Sequence, residues 1–137
     1  MADGTTNEPV LVALTVPARR SLVEGLVREA GVTTGAAPVV DVDVPDAELA
    51  DFLAGVAHAD GGFVARTDSG ERAVAVVAAT VAALCGEDIR AALAAPDIAF
   101  LTGLKPPAVE AARGVLLAVE TESVADVTRA LGILAPN

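Results

Sequence analysis

Val10-Leu11-Val12-Ala13-Leu14-Thr15-Val16 is an apolar run that continues directly into Pro17-Ala18-Arg19-Arg20. A short apolar run of this kind is typical of a strand that is buried on both of its faces. Such strands occur almost only in parallel sheets that have helices packed on each side. The run therefore predicts an α/β fold in which Val10–Val16 lies in the interior of a parallel sheet.

The next segment, residues 17–30, is predicted to form an amphipathic helix that ends at Gly31. Its first turn contains Arg19 and Arg20, although the helix dipole favours acidic side chains there. Free backbone N–H groups, the dipole and the two guanidinium groups together favour a bound phosphate or carboxylate. The alternative is that both arginines pair with Asp or Glu side chains of a neighbouring loop or subunit.

The rest of the chain alternates between strand-like and helix-like segments. Strands are predicted at Val39–Val44, Gly62–Thr67, Asp97–Leu101 and Val115–Val119, and helices at residues 45–58, 71–84, 87–94, 106–114 and 124–131. This alternation favours parallel strands joined by right-handed crossovers. We expect a single three-layer domain with a mostly parallel, five-stranded, doubly wound sheet of the flavodoxin-like type. Asp41 and Asp43 alternate with valines, which suits an edge strand.

The segment from Asp68 to Cys85 allows a second interpretation. Its valines fit one helical stripe, which favours a helix over residues 71–84. Alternatively, residues 67–71 form a tight turn and the chain pairs back as a hairpin over residues 62–77. The fold would then be α+β.

Composition limits the classes of function. Nineteen acidic and nine basic residues give a net charge of −10, which disfavours binding to nucleic acid. The longest uncharged apolar stretch, Ala73–Cys85, has 13 residues and is too short to span a bilayer. Residues 1–9 are polar and acidic, unlike a secretory signal. We expect a disordered tail at residues 1–9, a single domain over residues 10–135, and a cytoplasmic protein without a membrane partner.

The mean hydropathy of +0.57 is high for a monomer. This excess predicts that apolar surface is buried between copies of the chain. We therefore expect a homo-oligomer.

Ligands of open parallel sheets bind beyond the carboxyl ends of the strands. The predicted anion-binding residues are Arg19, Arg20, Ser21, Thr67, Asp68, Ser69 and Lys105. Lys105, the only lysine, equally suits a solvated loop. No Gly-x-Gly-x-x-Gly or Gly-Lys-Ser/Thr phosphate loop occurs, and no catalytic constellation, metal-ligand set or cofactor motif is recognised.

Three functions are compatible with these features of the sequence. The first is a non-catalytic α/β module that senses a small ligand or assembles by self-association. The second is a small enzyme or anion-binding protein that holds a phosphate or carboxylate at the start of the first helix. The third is an acidic adaptor for a basic protein partner. The sequence leaves open whether the protein is an enzyme.

Overall fold

The computed structural model describes residues 21–31, 35 and 37–135. The expected tail at residues 1–9, the run Val10–Val16 and the pair Arg19–Arg20 lie outside these residues. Within the described part, the protein is an α/β fold with a parallel sheet of four strands and with six α-helices. The elements in chain order are β1 (Val27–Glu29), β2 (Val39–Asp41), α1 (Asp46–Val56), β3 (Phe63–Arg66), α2 (Gly70–Cys85), α3 (Ile89–Ala94), α4 (Ile98–Thr102), α5 (Pro106–Val115), β4 (Leu116–Thr121), α6 (Val124–Leu131) and a 3₁₀ helix (Gly132–Leu134).

The strand order is β1-β4-β3-β2, and each neighbouring pair is parallel. β2 pairs directly with β3, so that Val40 lies opposite Ala65. In a flavodoxin-like sheet, the strand predicted first in the sequence, Val10–Val16, would lie between these two strands. The described sheet therefore does not have that order, and its strands number four. β2 is an edge strand, which confirms the expectation from Asp41 and Asp43.

The helix expected over residues 17–30 is wrong for its described part. The hydroxyl oxygen of Ser21 accepts a hydrogen bond of 3.0 Å from the backbone N–H of Val23, which forms a local turn. The chain then extends as β1, and the N–H of Ala30 donates to the carbonyl of Thr121 at 2.9 Å. The helical spacing of the apolar residues predicts a helix here, but the backbone groups make their hydrogen bonds with β4 instead. Tertiary pairing thus overrides the local helix preference.

The segment after β3 forms the helix α2, so the hairpin over residues 62–77 is wrong. Ser69 caps α2, because its side chain accepts a hydrogen bond of 3.1 Å from the N–H of Arg72. Every residue from Ala73 to Ala83 is buried, and Gly86, with a φ of 72°, ends the helix. An all-round apolar helix of this kind belongs at the centre of a fold.

The strand expected at Asp97–Leu101 is also wrong, because these residues lead into the short helix α4. The Asp97 carboxylate accepts a hydrogen bond of 3.1 Å from the N–H of Phe100. This cap begins a helical turn, and Gly103 follows its last residue. The Asp97 cap therefore overrides the strand preference of the apolar residues between Asp97 and Gly103.

α2 is the helix against which most of the other described helices pack. α2 packs against α1, α3, α5 and α6. A Cβ atom at Gly70 would lie 2.4 Å from the Cβ atom of Ala130, so α2 and α6 approach closely. The three-layer arrangement stays a prediction.

Candidate ligand-binding cleft

Polar residues follow three neighbouring strands at one edge of the sheet. We call this set the carboxyl edge: Asp43 after β2, Thr67–Ser69 after β3, and Thr121–Ser123 at the end of β4. Because the strands are parallel, their carboxyl ends lie side by side. The polar residues after β2, β3 and β4 therefore lie at the same edge of the sheet.

Thr67 connects the loop after β3 to the loop after β2. It is buried, and its hydroxyl donates a hydrogen bond of 2.8 Å to the Asp43 carboxylate. The same oxygen accepts a hydrogen bond of 3.0 Å from the N–H of Ser69. Its donor and an acceptor are thus both committed to the protein.

Thr121 repeats this arrangement one strand away. It is fully buried, its hydroxyl donates to the Asp68 carboxylate at 2.8 Å, and its oxygen accepts from the N–H of Ser123 at 2.9 Å. The same Asp68 oxygen also accepts from the N–H of Glu122 at 2.8 Å. The hydrogen bond from the Glu122 backbone, followed by that from Thr121, lowers the pKa of Asp68.

Arg66 lies beside the acidic residues that follow β4. Its guanidinium group is 3.1 Å from the Glu122 carboxylate and 3.6 Å from that of Glu120. The hydrogen bond to Glu122 raises the pKa of Arg66, so its charge is paired with protein carboxylates. Arg66 is therefore a poor candidate for holding an anion.

Arg72 is held in place by three hydrogen bonds. Its Nε donates to the carbonyl of Val42 at 2.7 Å, and its two terminal nitrogens donate to Asp46 at 2.8 Å and to the carbonyl of Val44 at 2.7 Å. Its side chain is 17% exposed. The guanidinium group thus holds the loop between β2 and α1 against the first turn of α2.

A cleft of about 510 Å³ opens beside this arginine, and we call it the Arg72 cleft. Its polar rim consists of Asp43, Ser69, Glu71 and Arg72, and its apolar wall of Val44, Ala75, Leu93, Ala94 and Pro96. It therefore lies between the carboxyl end of β2, the first turn of α2 and the end of α3. Its volume lies in the range of small-molecule sites, and its lining is more polar than apolar.

The structure brings together some of the residues that the sequence singled out. Thr67, Asp68 and Ser69 lie at the carboxyl edge, and Ser69 also lines the Arg72 cleft. Arg19 and Arg20 lie outside the described residues.

Ser21 and Lys105 lie apart from this group. The carbonyl of Ser21 accepts a hydrogen bond of 2.7 Å from Arg113, which places it near the amino end of β4, at the opposite edge of the sheet. Lys105 is exposed and precedes α5, and its carbonyl accepts from the N–H of Ala108 at 3.0 Å. None of the described cavities contains both residues.

Sequence reasoning missed the two charged residues of α2 that line the cleft, Glu71 and Arg72. The sequence does indicate where these two residues lie, because Ser69 is a favourable N-cap and Glu71 and Arg72 fall in the first turn of the helix that it caps. The direction of the Arg72 side chain depends on carbonyl groups of the loop after β2, which the sequence pattern does not reveal.

No family model, curated protein or solved structure matches this chain. Within the described part of the chain, no three His, Cys, Asp or Glu side chains are grouped so that they could hold a metal ion. None of the helices described here is both long and apolar enough to cross a membrane.

Proposed function

We propose that the protein is a non-catalytic α/β module that senses a small ligand in the Arg72 cleft. The observation that carries this proposal is the position of a 510 Å³ cleft at the carboxyl ends of parallel strands. Open parallel sheets bind their ligands in this position. Leu93 and Ala75 supply an apolar wall, and the rim supplies polar groups that orient a ligand.

The charges of the rim favour a ligand with an amine. The positive charge of Arg72 is paired with Asp46 at 2.8 Å, and its Nε and second terminal nitrogen each donate to a backbone carbonyl. Asp43 and Glu71 then leave the rim with an excess of negative charge. A short apolar group that ends in an ammonium ion matches both the wall and the rim.

Binding rather than catalysis is supported by the hydrogen bonds beside the cleft. The hydroxyl proton of Thr67 is directed at Asp43, and Ser69 uses its oxygen to cap α2. A nucleophile must reach its substrate as well as a base, whereas Thr67 is buried and does not line the cleft, and the Ser69 oxygen is engaged by the backbone of α2. A ligand would instead tie together three segments that are distant in sequence, namely residues 43–44, 69–75 and 93–96.

Two probes of equal size and opposite charge test the proposal. The unfolding midpoint is measured with n-butylamine and with butyrate at equal ionic strength. We expect n-butylamine, at roughly ten times its dissociation constant, to stabilise the protein by about 1.4 kcal/mol, a rise of about 4 °C. Butyrate should leave the midpoint unchanged.

Two variants locate the effect. Glu71→Gln removes a rim charge and should reduce the rise, whereas Glu48→Gln removes an exposed charge of α1 and should not. If neither probe shifts the unfolding midpoint in a saturable way, ligand sensing would be contradicted. A larger rise of the unfolding midpoint with butyrate than with n-butylamine would contradict the preference for an amine and would favour the anion-binding alternative.

Self-association is a second candidate, favoured by the exposure of Ile133. This side chain is 55% exposed, and the 3₁₀ helix that carries it contacts α4. We expect the unfolding midpoint to rise with protein concentration, because association stabilises only the folded chain. Ile133→Ser should abolish this rise. A midpoint independent of concentration would contradict the candidate.

A further inference from the structure

A groove on the other side of α3 from the Arg72 cleft is a separate feature of the molecule. It lies between α2, α3 and α4 and has a volume of about 360 Å³. Its floor is made by alanines one helical turn apart, Ala78 and Ala82 on α2 and Ala91 and Ala95 at α3. Small side chains allow another backbone to approach closely. We call this feature the Phe100 groove.

Phe100 forms part of its wall and is unusual for this chain. The protein has three aromatic side chains, all phenylalanines. Phe52 and Phe63 pack edge to face with their ring centres 5.0 Å apart, whereas Phe100 is 44% exposed. A large apolar ring beside an apolar groove is the kind of anchor around which binding energy is concentrated.

All charged residues that line the groove are acidic. They are Glu87, Asp88 and Asp97. Arg90 belongs to α3 but does not line the groove. Asp88 and Asp97 cap α3 and α4 by accepting from the N–H groups of Ala91 and Phe100, so their positions are fixed by the fold.

From this surface we propose that the Phe100 groove binds an amphipathic helix of a partner protein, with apolar residues on one face and Lys or Arg along both sides of it. The apolar face fits the alanine floor and the Phe100 ring. The cations face the acidic rim and the ring, which attracts them as well. A second copy of this chain is a poor occupant because none of its described helices contains more than one Lys or Arg.

The test uses three synthetic helices of roughly 18 residues, about five turns. The first contains Leu at helical spacing and Lys elsewhere, the second replaces Lys by Glu, and the third scrambles the first. Binding of each labelled helix to the full chain is followed by fluorescence anisotropy at about 0.15 M salt. We expect saturable binding of the Leu/Lys helix, and at least tenfold weaker binding of the other two.

Matched variants separate the groove from general attraction between opposite charges. Asp88→Asn with Asp97→Asn removes two rim charges while keeping side chains that cap helices equally well. Glu48→Gln with Asp51→Asn removes two exposed charges of α1, away from the groove. We expect the first pair to weaken binding at least fivefold more than the second. Phe100→Ala should also weaken it at least fivefold, with the unfolding midpoint confirming that each variant is folded.

Three outcomes would overturn the proposal. If the two double variants lose equal affinity for the Leu/Lys helix, this helix is attracted only by the net charge of the protein. Equal binding of the scrambled helix would show that no helical face is recognised. A change of oligomeric state in Phe100→Ala, with unchanged affinity for the Leu/Lys helix, would assign the groove to contacts between copies.

Discussion

Asp68 shows how a single side chain connects two strand ends. Its carboxylate accepts from the Thr121 hydroxyl and from the N–H of Glu122, and these bonds lower its pKa. A lowered pKa in the folded state stabilises the protein above the unfolded pKa of about 3.9. That stabilisation is lost as the pH falls through the folded pKa.

The change Asp68→Asn tests this connection because the amide oxygen still accepts both hydrogen bonds. We expect the wild-type protein to be more stable than the variant at neutral pH, and the difference to close as the pH falls below about 4. Urea unfolding across this range measures it. Asp51→Asn controls for the loss of one charge from the molecule. A difference that is constant or that widens in acid would contradict the account.

Arg72 should be far less tolerant of change than an exposed arginine. Arg72→Lys keeps the charge but loses the planar fork that contacts two carbonyls and Asp46. We expect a loss of roughly 1–3 kcal/mol in the free energy of unfolding. Arg129→Lys, at a side chain 75% exposed, should change it by less than about 0.5 kcal/mol. Similar losses in both variants would show that Arg72 does not fix the loop.

At the scale of elements, the contact between α2 and α6 depends on the absence of a side chain at Gly70. Gly70→Ala would place a Cβ atom 2.4 Å from the Cβ atom of Ala130, and we expect a loss of roughly 1–3 kcal/mol. Gly114→Ala in α5 is the matched control because its Cβ atom would meet nothing within 4 Å. That change should stabilise the protein by up to about 1 kcal/mol. Thermal unfolding of both variants distinguishes them, and a stable Gly70→Ala would contradict the close packing.

The elements show what the sequence can and cannot predict. α2 was readable because its apolar residues, its Ser69 cap and Gly86 all indicate one helix. β1 was not, since a strand of three residues is held by its partner β4 and leaves no pattern of its own. α4 was misread because an apolar stretch resembles a strand, while the Asp97 cap decides for a helix.

The same distinction applies to the candidate site. Thr67–Ser69 could be placed at a strand end from sequence alone, because parallel strands put their loops at one edge. The Arg72 cleft could not, because its wall combines Leu93 with residues of α2 and of the loop after β2. Contacts between such distant segments follow from packing and from carbonyl directions, which carry no signal in a single sequence.

At the scale of the whole molecule, the net charge of −10 should make stability depend on salt. Repulsion among the carboxylates opposes the compact state, and salt screens it. We expect the unfolding midpoint to rise by several degrees between about 0.01 M and about 0.5 M sodium chloride. Choline chloride should act equally if screening is the cause. A midpoint that falls or stays constant would contradict this expectation.

The cleft beside Arg72 is most directly tested by mapping n-butylamine onto the folded protein by NMR. Backbone amide shifts are followed during a titration into the millimolar range expected for so small a ligand. We expect saturable shifts with n-butylamine, concentrated at residues 69–75 and 93–96, which line the cleft, and no shifts with butyrate. Shifts that do not saturate, or that concentrate around Ser21 and Lys105 instead, would contradict it.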